Sequence, residues 1–283
     1  MDRQFLRFPG FKQKAVTLSY DDGVRQDKRL IQIMVKYGIK GTFNLNGGMF
    51  APDDSAKDTG KGKMSLAEAL ELYQPNGMEV ANHGYKHLSL AKIDTAMAIN
   101  DVIKDRNALE SAFGGIIKGM AYANGSYSDE VVDVLKMCGI HYSRTVASTE
   151  RFDLPTDWLR LPATCHHKNP RLMELAENFV NITKGRHFWY DPPHLFYLWG
   201  HSYEFDNDNN WEVIEKFCEY IGGREEIWYA TNGEIYDYVT AFDRLEYSAE
   251  STRIYNPSAI DVYISYRDHK YIVPAGQTIS VEQ

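Results

Sequence analysis

At 283 residues the chain suits one large α/β domain or two small ones, and 43% hydrophobic with 25% charged residues exclude a disordered chain. A formal net charge of −8 leaves no basic stripe, which argues against a nucleic-acid or anionic-membrane partner. Cys138, Cys165 and Cys218 are too dispersed for a disulfide framework or a Cys-x-x-Cys knuckle, and the absence of a signal-peptide core or membrane-length run reads as cytoplasmic.

The first predicted strand, 15–20, is an apolar run that breaks into Asp21-Asp22-Gly23. Burying either carboxylate costs free energy unless a cation or hydrogen bond compensates it, although Asp-Asp-Gly is also ordinary turn chemistry. A helix over 26–37 follows, with Leu30, Ile31, Met34 and Val35 on one face and Gly38 past its end. Next come a strand over 41–46, a Gly/Asp/Lys-rich loop over 51–63, and a helix opened by Ser65 and Glu68 as a capping box. The third strand, 78–82, runs into His83-Gly84-Tyr85-Lys86-His87. A long helical pattern covers 94–113, a fourth strand over 117–122 closes on Ala123-Asn124-Gly125, and Ser128 caps a helix that runs to Cys138. Strands over 141–146 and 159–165, a helix with Pro170 at its first position, and an apolar strand over 195–200 ending on His201 come next. A helix over 211–221, a strand over 226–230 and a helix over 234–242 complete the series.

Seven or eight strand–helix units with short connections predict an α/β fold with a parallel (β/α) barrel over 1–244. From 245 onward, short strands with turns at Asn-Pro and Ala-Gly predict a small C-terminal β appendage over 245–283. In a parallel barrel, functional groups collect at the C-terminal ends of the strands. Three such ends carry metal- or proton-competent side chains: Asp21 with Asp22, His83 with His87, and His201. Two histidines four residues apart share one face of a helical turn and can hold a common ion.

Thr17-Leu18-Ser19-Tyr20-Asp21-Asp22-Gly23 resembles the Thr-Phe-Asp-Asp-Gly motif of the polysaccharide deacetylases, the NodB-homology family or carbohydrate esterase family four. Asn82-His83-Gly84-Tyr85-Lys86-His87 is similar to that family's His-(Ser/Thr)-x-x-His motif, and the order of motifs agrees over residues 10–240. The resemblance implies a distorted barrel and removal of an acetyl group from an N-acetylated sugar or polysaccharide. It also implies a divalent metal held by Asp22, His83 and His87, with Asp21 as general base and His201 as general acid. One carboxylate and two imidazoles with open positions suit zinc, with Co, Mn, Ni or Fe as alternatives. Such an ion lowers the pKa of a bound water to about 7 and polarises a carbonyl, while a histidine titrating near neutrality can protonate a leaving amine.

Elsewhere the chain departs from the pattern. Ala121-Tyr122-Ala123-Asn124-Gly125 stands where the family has Arg-x-Pro-Tyr-Gly. Asn124, beside Tyr122, would offer the oxyanion its backbone N–H, and the arginine that orients the base is missing. Arg144 is the first choice of substitute, ahead of Arg160. Asp157-Trp158 looks like the family's Asp-Trp motif but precedes its strand, so it reads as coincidence. His166 and His167 are candidates for lining the site or binding a second ion, with at most one reaching the metal because neighbours in an extended chain point apart. Phe188, Trp189, Tyr190 and Trp199 are a sugar platform or plain packing, and Glu204 or Asp206 either raises a histidine's basicity or sits in solvent. Three functional readings remain: an N-deacetylase; an O-acetyl esterase or small-amide amidase on the same site; and a non-catalytic carbohydrate-binding protein. The expected partner is a carbohydrate, with neither nucleic acid nor membrane, and the oligomeric state is open.

Overall fold

The computed structural model describes residues 2–52, 62–182, 192–266 and 269–282. In chain order it runs β1 (Leu6–Arg7), β2 (Lys14–Asp21), α1 (Asp27–Lys36), β3 (Gly41–Leu45), α2 (Leu66–Leu72), β4 (Glu79–Asn82), α3 (Thr95–Phe113), β5 (Gly119–Ala121) and α4 (Asp129–Met137). There follow β6 (Tyr142–Ser148), β7 (Leu161–Ala163), β8 (Cys165–His166), α5 (Leu172–Asn181), β9 (His194–Gly200), α6 (Tyr203–Asn207), α7 (Trp211–Ile221), β10 (Ile227–Tyr229) and α8 (Asn232–Asp243). The parallel wall has the order β7-β6-β5-β4-β3-β2-β9-β8, and β10 adds to the first residues of β2. β7 and β8 are successive pieces of one stretch; β7 pairs with β6 and β8 with β9, and between them Thr164 N–H donates to the Tyr197 carbonyl at 2.8 Å. The ladder therefore returns on itself as a distorted barrel of seven strand positions, with β10 as an eighth strand outside the ring.

Local chemistry sets the boundaries. Ser65 and Glu68 form the expected capping box, Asp94 and Ser128 cap α3 and α4, and Gly38 follows α1 at φ 67°. Pro170 is not the first helical residue: Asn169 receives the N–H groups of Arg171 and Leu172 in a turn, and α5 starts at Leu172. The short helix α6 was not foreseen in the sequence.

Every residue of β2 is buried, yet its character alternates. Val16, Leu18 and Tyr20 join the core formed with Leu30, Ile31 and Met34 of α1 and Phe217 and Ile221 of α7. Each such side chain contributes roughly 1.5–3 kcal/mol on burial. Thr17 and Ser19, on the other face, are satisfied by polar partners: Thr17 Oγ1 donates to Asn232 Oδ1 at 3.0 Å, and Ser19 Oγ accepts from Asn44 Nδ2 at 2.9 Å. The barrel interior is thus polar beneath the Asp21 end.

The segment after 245 carries β11 (Glu246–Tyr247), β12 (Arg253–Tyr255), β13 (Val262–Tyr266), β14 (His269–Val273) and β15 (Thr278–Ser280). It forms two three-stranded antiparallel sheets, β11-β12-β15 and β1-β13-β14, so the opposite end of the chain supplies one strand. Leu6, Phe8, Ile254, Val262, Ile264 and Val273 share a core with Tyr238 and Phe242 of α8 and with Ala15 and Leu195, near the starts of β2 and β9. This β layer covers the end of the barrel away from Asp21. Among the described residues no helix is long and apolar enough to cross a membrane.

Candidate metal centre and active site

β2 delivers Asp21 as its last residue, after which the chain turns through Asp22 and Gly23 at φ 85° and 60°. A left-handed aspartate is uncommon and is held here by its surroundings. Asp22 N–H donates to the Asn44 carbonyl at 3.0 Å, while Lys63 Nζ donates to the Asp22 carbonyl and lies 3.2 Å from its Oδ1. The two acids consequently face different neighbours. Asp21 is 3% exposed, receives Asn44 Nδ2 at 2.8 Å on Oδ1 and is paired with Arg144 on Oδ2.

β4 delivers His83, whose ring is buried with Nδ1 2.8 Å from the Ala121 carbonyl at the end of β5. That contact puts the proton on Nδ1 and leaves Nε2 free to act as a ligand. His83 N–H donates to Asp105 Oδ2 at 2.9 Å, and Lys86 N–H donates to Asp101 Oδ1 at 3.0 Å. Two acids one turn apart on α3 therefore hold the histidine loop, and burial pushes Asp105 up to about 7. Gly84 is needed at φ 80°, where a Cβ would sit 2.7 Å from Asp101 Oδ2. His87, itself left-handed, places Nε2 3.6 Å from Asp22 Oδ1, with its ring centroid 4.8 Å from that of His83.

Asp22, His83 and His87 thus present one ligand atom each within 4.8 Å of one another. The donor set, one carboxylate oxygen and two imidazole nitrogens, fits a borderline divalent ion such as zinc. The fixed tautomer of His83 adds the outer contact typical of such a ligand.

Arg144, the third residue of β6, reaches Asp21 from across the interior; it is 1% exposed and lies over the Trp199 ring at 4.3 Å. Burial pushes the Asp21 carboxyl up, but the Arg144 guanidinium outweighs it, helped by His83 and His201, and holds the pKa down at about 2. Arg160 instead pairs with Asp129 and Asp157 on the surface. His201, immediately after β9, has Nε2 3.8 Å from Asp21 Oδ2 and Nδ1 3.3 Å from Glu204 Oε2. Burial lowers the His201 pKa, but the Glu204 hydrogen bond and Asp21 outweigh it and raise the pKa above the usual value.

Other expected positions fall differently. Tyr122 is not brought to the site by its side chain: the ring is buried among Leu90, Val102 and Met120, and the hydroxyl donates to the Leu159 carbonyl at 2.7 Å. Asn124 is exposed at φ 56°, with Nδ2 3.1 Å from Ser89 Oγ and 3.4 Å from the His87 carbonyl. His166 and His167 do not point apart; the chain turns after β8, and both Nε2 atoms lie 3.2 Å from Glu204 Oε2. Glu204 is therefore a partly buried hub and not a solvated loop acid, whereas Asp206 accepts from Trp211 and Gln26 away from the histidines. Trp199 packs and also walls the site, edge-on to His166 at 4.5 Å. Asp157 caps a short turn, and Trp158 packs on Tyr236. Phe188, Trp189 and Tyr190 lie outside the described residues.

Asn44, Asp101, Asp105 and Lys63 were missed in the sequence. The only signals for them were the polar alternation along β3 and the four-residue spacing of two acids on α3.

Residues 9–143 match the family model described as polysaccharide deacetylase. That stretch of the chain is similar to the polysaccharide deacetylases. Its fold is similar to that of a putative polysaccharide deacetylase from Mycobacterium smegmatis, at 15% identity and TM-score 0.59, over 84% of this chain and 94% of that one. It is also similar to the Xyl-CE4 domain of a multidomain xylanase from the hindgut metagenome of Trinervitermes trinervoides, at 14% identity and TM-score 0.52, over 81% and 92% of the two chains. The Streptococcus pyogenes deacetylase PplD, solved with acetate, matches at 18% identity and TM-score 0.44 over 51% of this chain, which spans 62% of that protein's length. No curated protein matches the chain. The stretch matched by the family model includes both acids and the His83–His87 pair, but Arg144, His166, His201 and Glu204 lie beyond it.

Proposed function

We propose that this polysaccharide deacetylase relative is a metal-dependent hydrolase that removes an acetyl group from an N-acetylated carbohydrate. The observation that carries this reading is the convergence of Asp21 and His201 beside the Asp22–His83–His87 ligand set, with Nε2 of His201 3.8 Å from Asp21. Asp22, His83 and His87 would hold the ion. Bound there, a divalent ion supplies a Lewis acid that acidifies water and polarises a carbonyl, within reach of a carboxylate base as weak as Asp21.

Asp21 is the proton acceptor, kept ionised through the neutral range by Arg144 and aimed by Asn44. Asn124, on the rim, offers its backbone N–H to the developing oxyanion. His201 donates from Nε2 to the leaving group while Glu204 pins Nδ1. A proton donor at this position serves an amide in particular, because an amine leaves only when protonated whereas an alkoxide needs less help.

The test is acetate release from N-acetylated chito-oligosaccharides against an O-acetylated sugar, with zinc or cobalt added. Release from the amide that disappears in Asp21→Asn supports the assignment. Release from the ester alone selects the esterase reading, and release from neither favours a binding protein.

A further inference from the structure

A second group of ligand-type side chains gathers at neighbouring strand ends. His166 is the last residue of β8, His201 follows β9, and Glu204 lies in the first turn of α6. One ligand atom from each lies within 4.8 Å of the others. Glu204 Oε2 is 3.2 Å from His166 Nε2, 3.3 Å from His201 Nδ1, 3.2 Å from His167 Nε2 and 3.2 Å from the His201 backbone nitrogen. A carboxylate oxygen has about two lone-pair sites, so four nitrogens cannot all donate to it. The distances are also longer than the about 2.7–2.9 Å of charge-assisted hydrogen bonds. They lie close to the ligand-to-ligand edge of a tetrahedral zinc site, which is about 3.3–3.6 Å for bonds of about 2.0–2.2 Å.

His167 supplies an independent observation. It is 2% exposed and neither ring nitrogen makes a hydrogen bond, although Nε2 lies 3.2 Å from the same oxygen. An unpartnered buried imidazole is costly unless something else meets it. Lys168 Nζ is 3.2 Å from the other oxygen, Oε1, and 2.8 Å from Asp208, which leaves Oε2 to the histidines.

We propose that His166, His201 and Glu204 bind a second divalent cation of the zinc class, beside the Asp22–His83–His87 centre and distinct from it. His201 joins the two, with Nδ1 toward the second ion and Nε2 toward Asp21. An imidazole whose Nδ1 holds a cation keeps only a weakly acidic Nε2–H, so occupancy withdraws the proton donor and the second ion inhibits. The inhibition rests on the assignment of His201 as general acid; the binding does not.

The experiment is zinc stoichiometry by equilibrium dialysis on the full chain, with folding checked by thermal melts. Wild type is expected to bind about two ions, and Asp22→Ala, His166→Ala and the near-isosteric Glu204→Gln about one each. Two ions retained in both His166→Ala and Glu204→Gln, or a single wild-type ion lost in Asp22→Ala, overturns the second site. A single ion that survives Asp22→Ala and vanishes in His166→Ala sinks the first-site assignment and leaves the second standing. In kinetics, zinc beyond the first equivalent should lower wild-type turnover at least about fivefold, and that inhibition should be lost in His166→Ala. Two bound ions without inhibition overturn the regulatory half.

Discussion

Arg144 donates to Asp21 across 123 residues of sequence, with both side chains inside the barrel, 1% and 3% exposed. Removing one partner of such a pair strands the other charge. Arg144→Ala is expected to cost about 3–5 kcal/mol of stability in urea unfolding. In a folded fraction it should move the acidic limb of the kcat–pH profile upward, because the Asp21 carboxyl loses the guanidinium that holds it at about 2. An unchanged acidic limb would remove Arg144 from the base.

Asp21→Asn should reduce deacetylation by about 100- to 10,000-fold, the usual range for a general base, while zinc binding persists. Zinc lost together with activity in a folded variant would make Asp21 a ligand and not a base.

Glu204→Gln takes away the carboxylate that raises the His201 pKa. The protonated imidazole then loses its stabilising neighbour, so the alkaline limb of kcat should shift to lower pH. A limb that stays in place, with zinc held at one equivalent, would mean that His201 does not donate the proton.

Asp27 is a buried carboxyl that accepts from Tyr73 Oη at 2.7 Å and from Ser202 Oγ, and burial pushes its pKa up to about 7. Its folded pKa lies above the unfolded value of about 3.9, so proton binding favours the folded state. That contribution is present below the unfolded pKa and is lost as pH rises through about 7. The chelated protein should therefore lose stability between about pH 4 and 7 by up to about 1.4 kcal/mol per unit, and Asp27→Asn should flatten the slope in urea unfolding.

Gly200 ends β9 directly against His167, where a Cβ would sit 2.1 Å from Nδ1. Gly200→Ala should cost about 1–3 kcal/mol by overpacking and displace the His167 ring, read as a lower melting temperature. A variant as stable as wild type would show that the ring has room to move.

The barrel was legible because its signals are local. Alternating apolar periods, Gly38 and the Ser65–Glu68 box each act within a few residues, and they placed β2, α1, β3 and α2 within one or two positions. The appendage was legible only in its own strands; that β1 would join β13 depends on the two ends of the chain meeting, which no local pattern encodes.

Within the site, Asp21, Asp22, His83 and His87 stood out because each pair is adjacent or four residues apart. By itself the sequence determined a βα chain carrying an acidic pair and a histidine pair at strand ends, since propensity, caps and motif spacing are short-range. Only the tertiary structure decided which arginine meets Asp21, that His166, His167 and His201 converge on Glu204, and that Tyr122 turns into the core. Those outcomes depend on which strands become neighbours in a closed ladder and on which way a chain turns after its strand. Closure alone brings β6, β8 and β9 to one mouth.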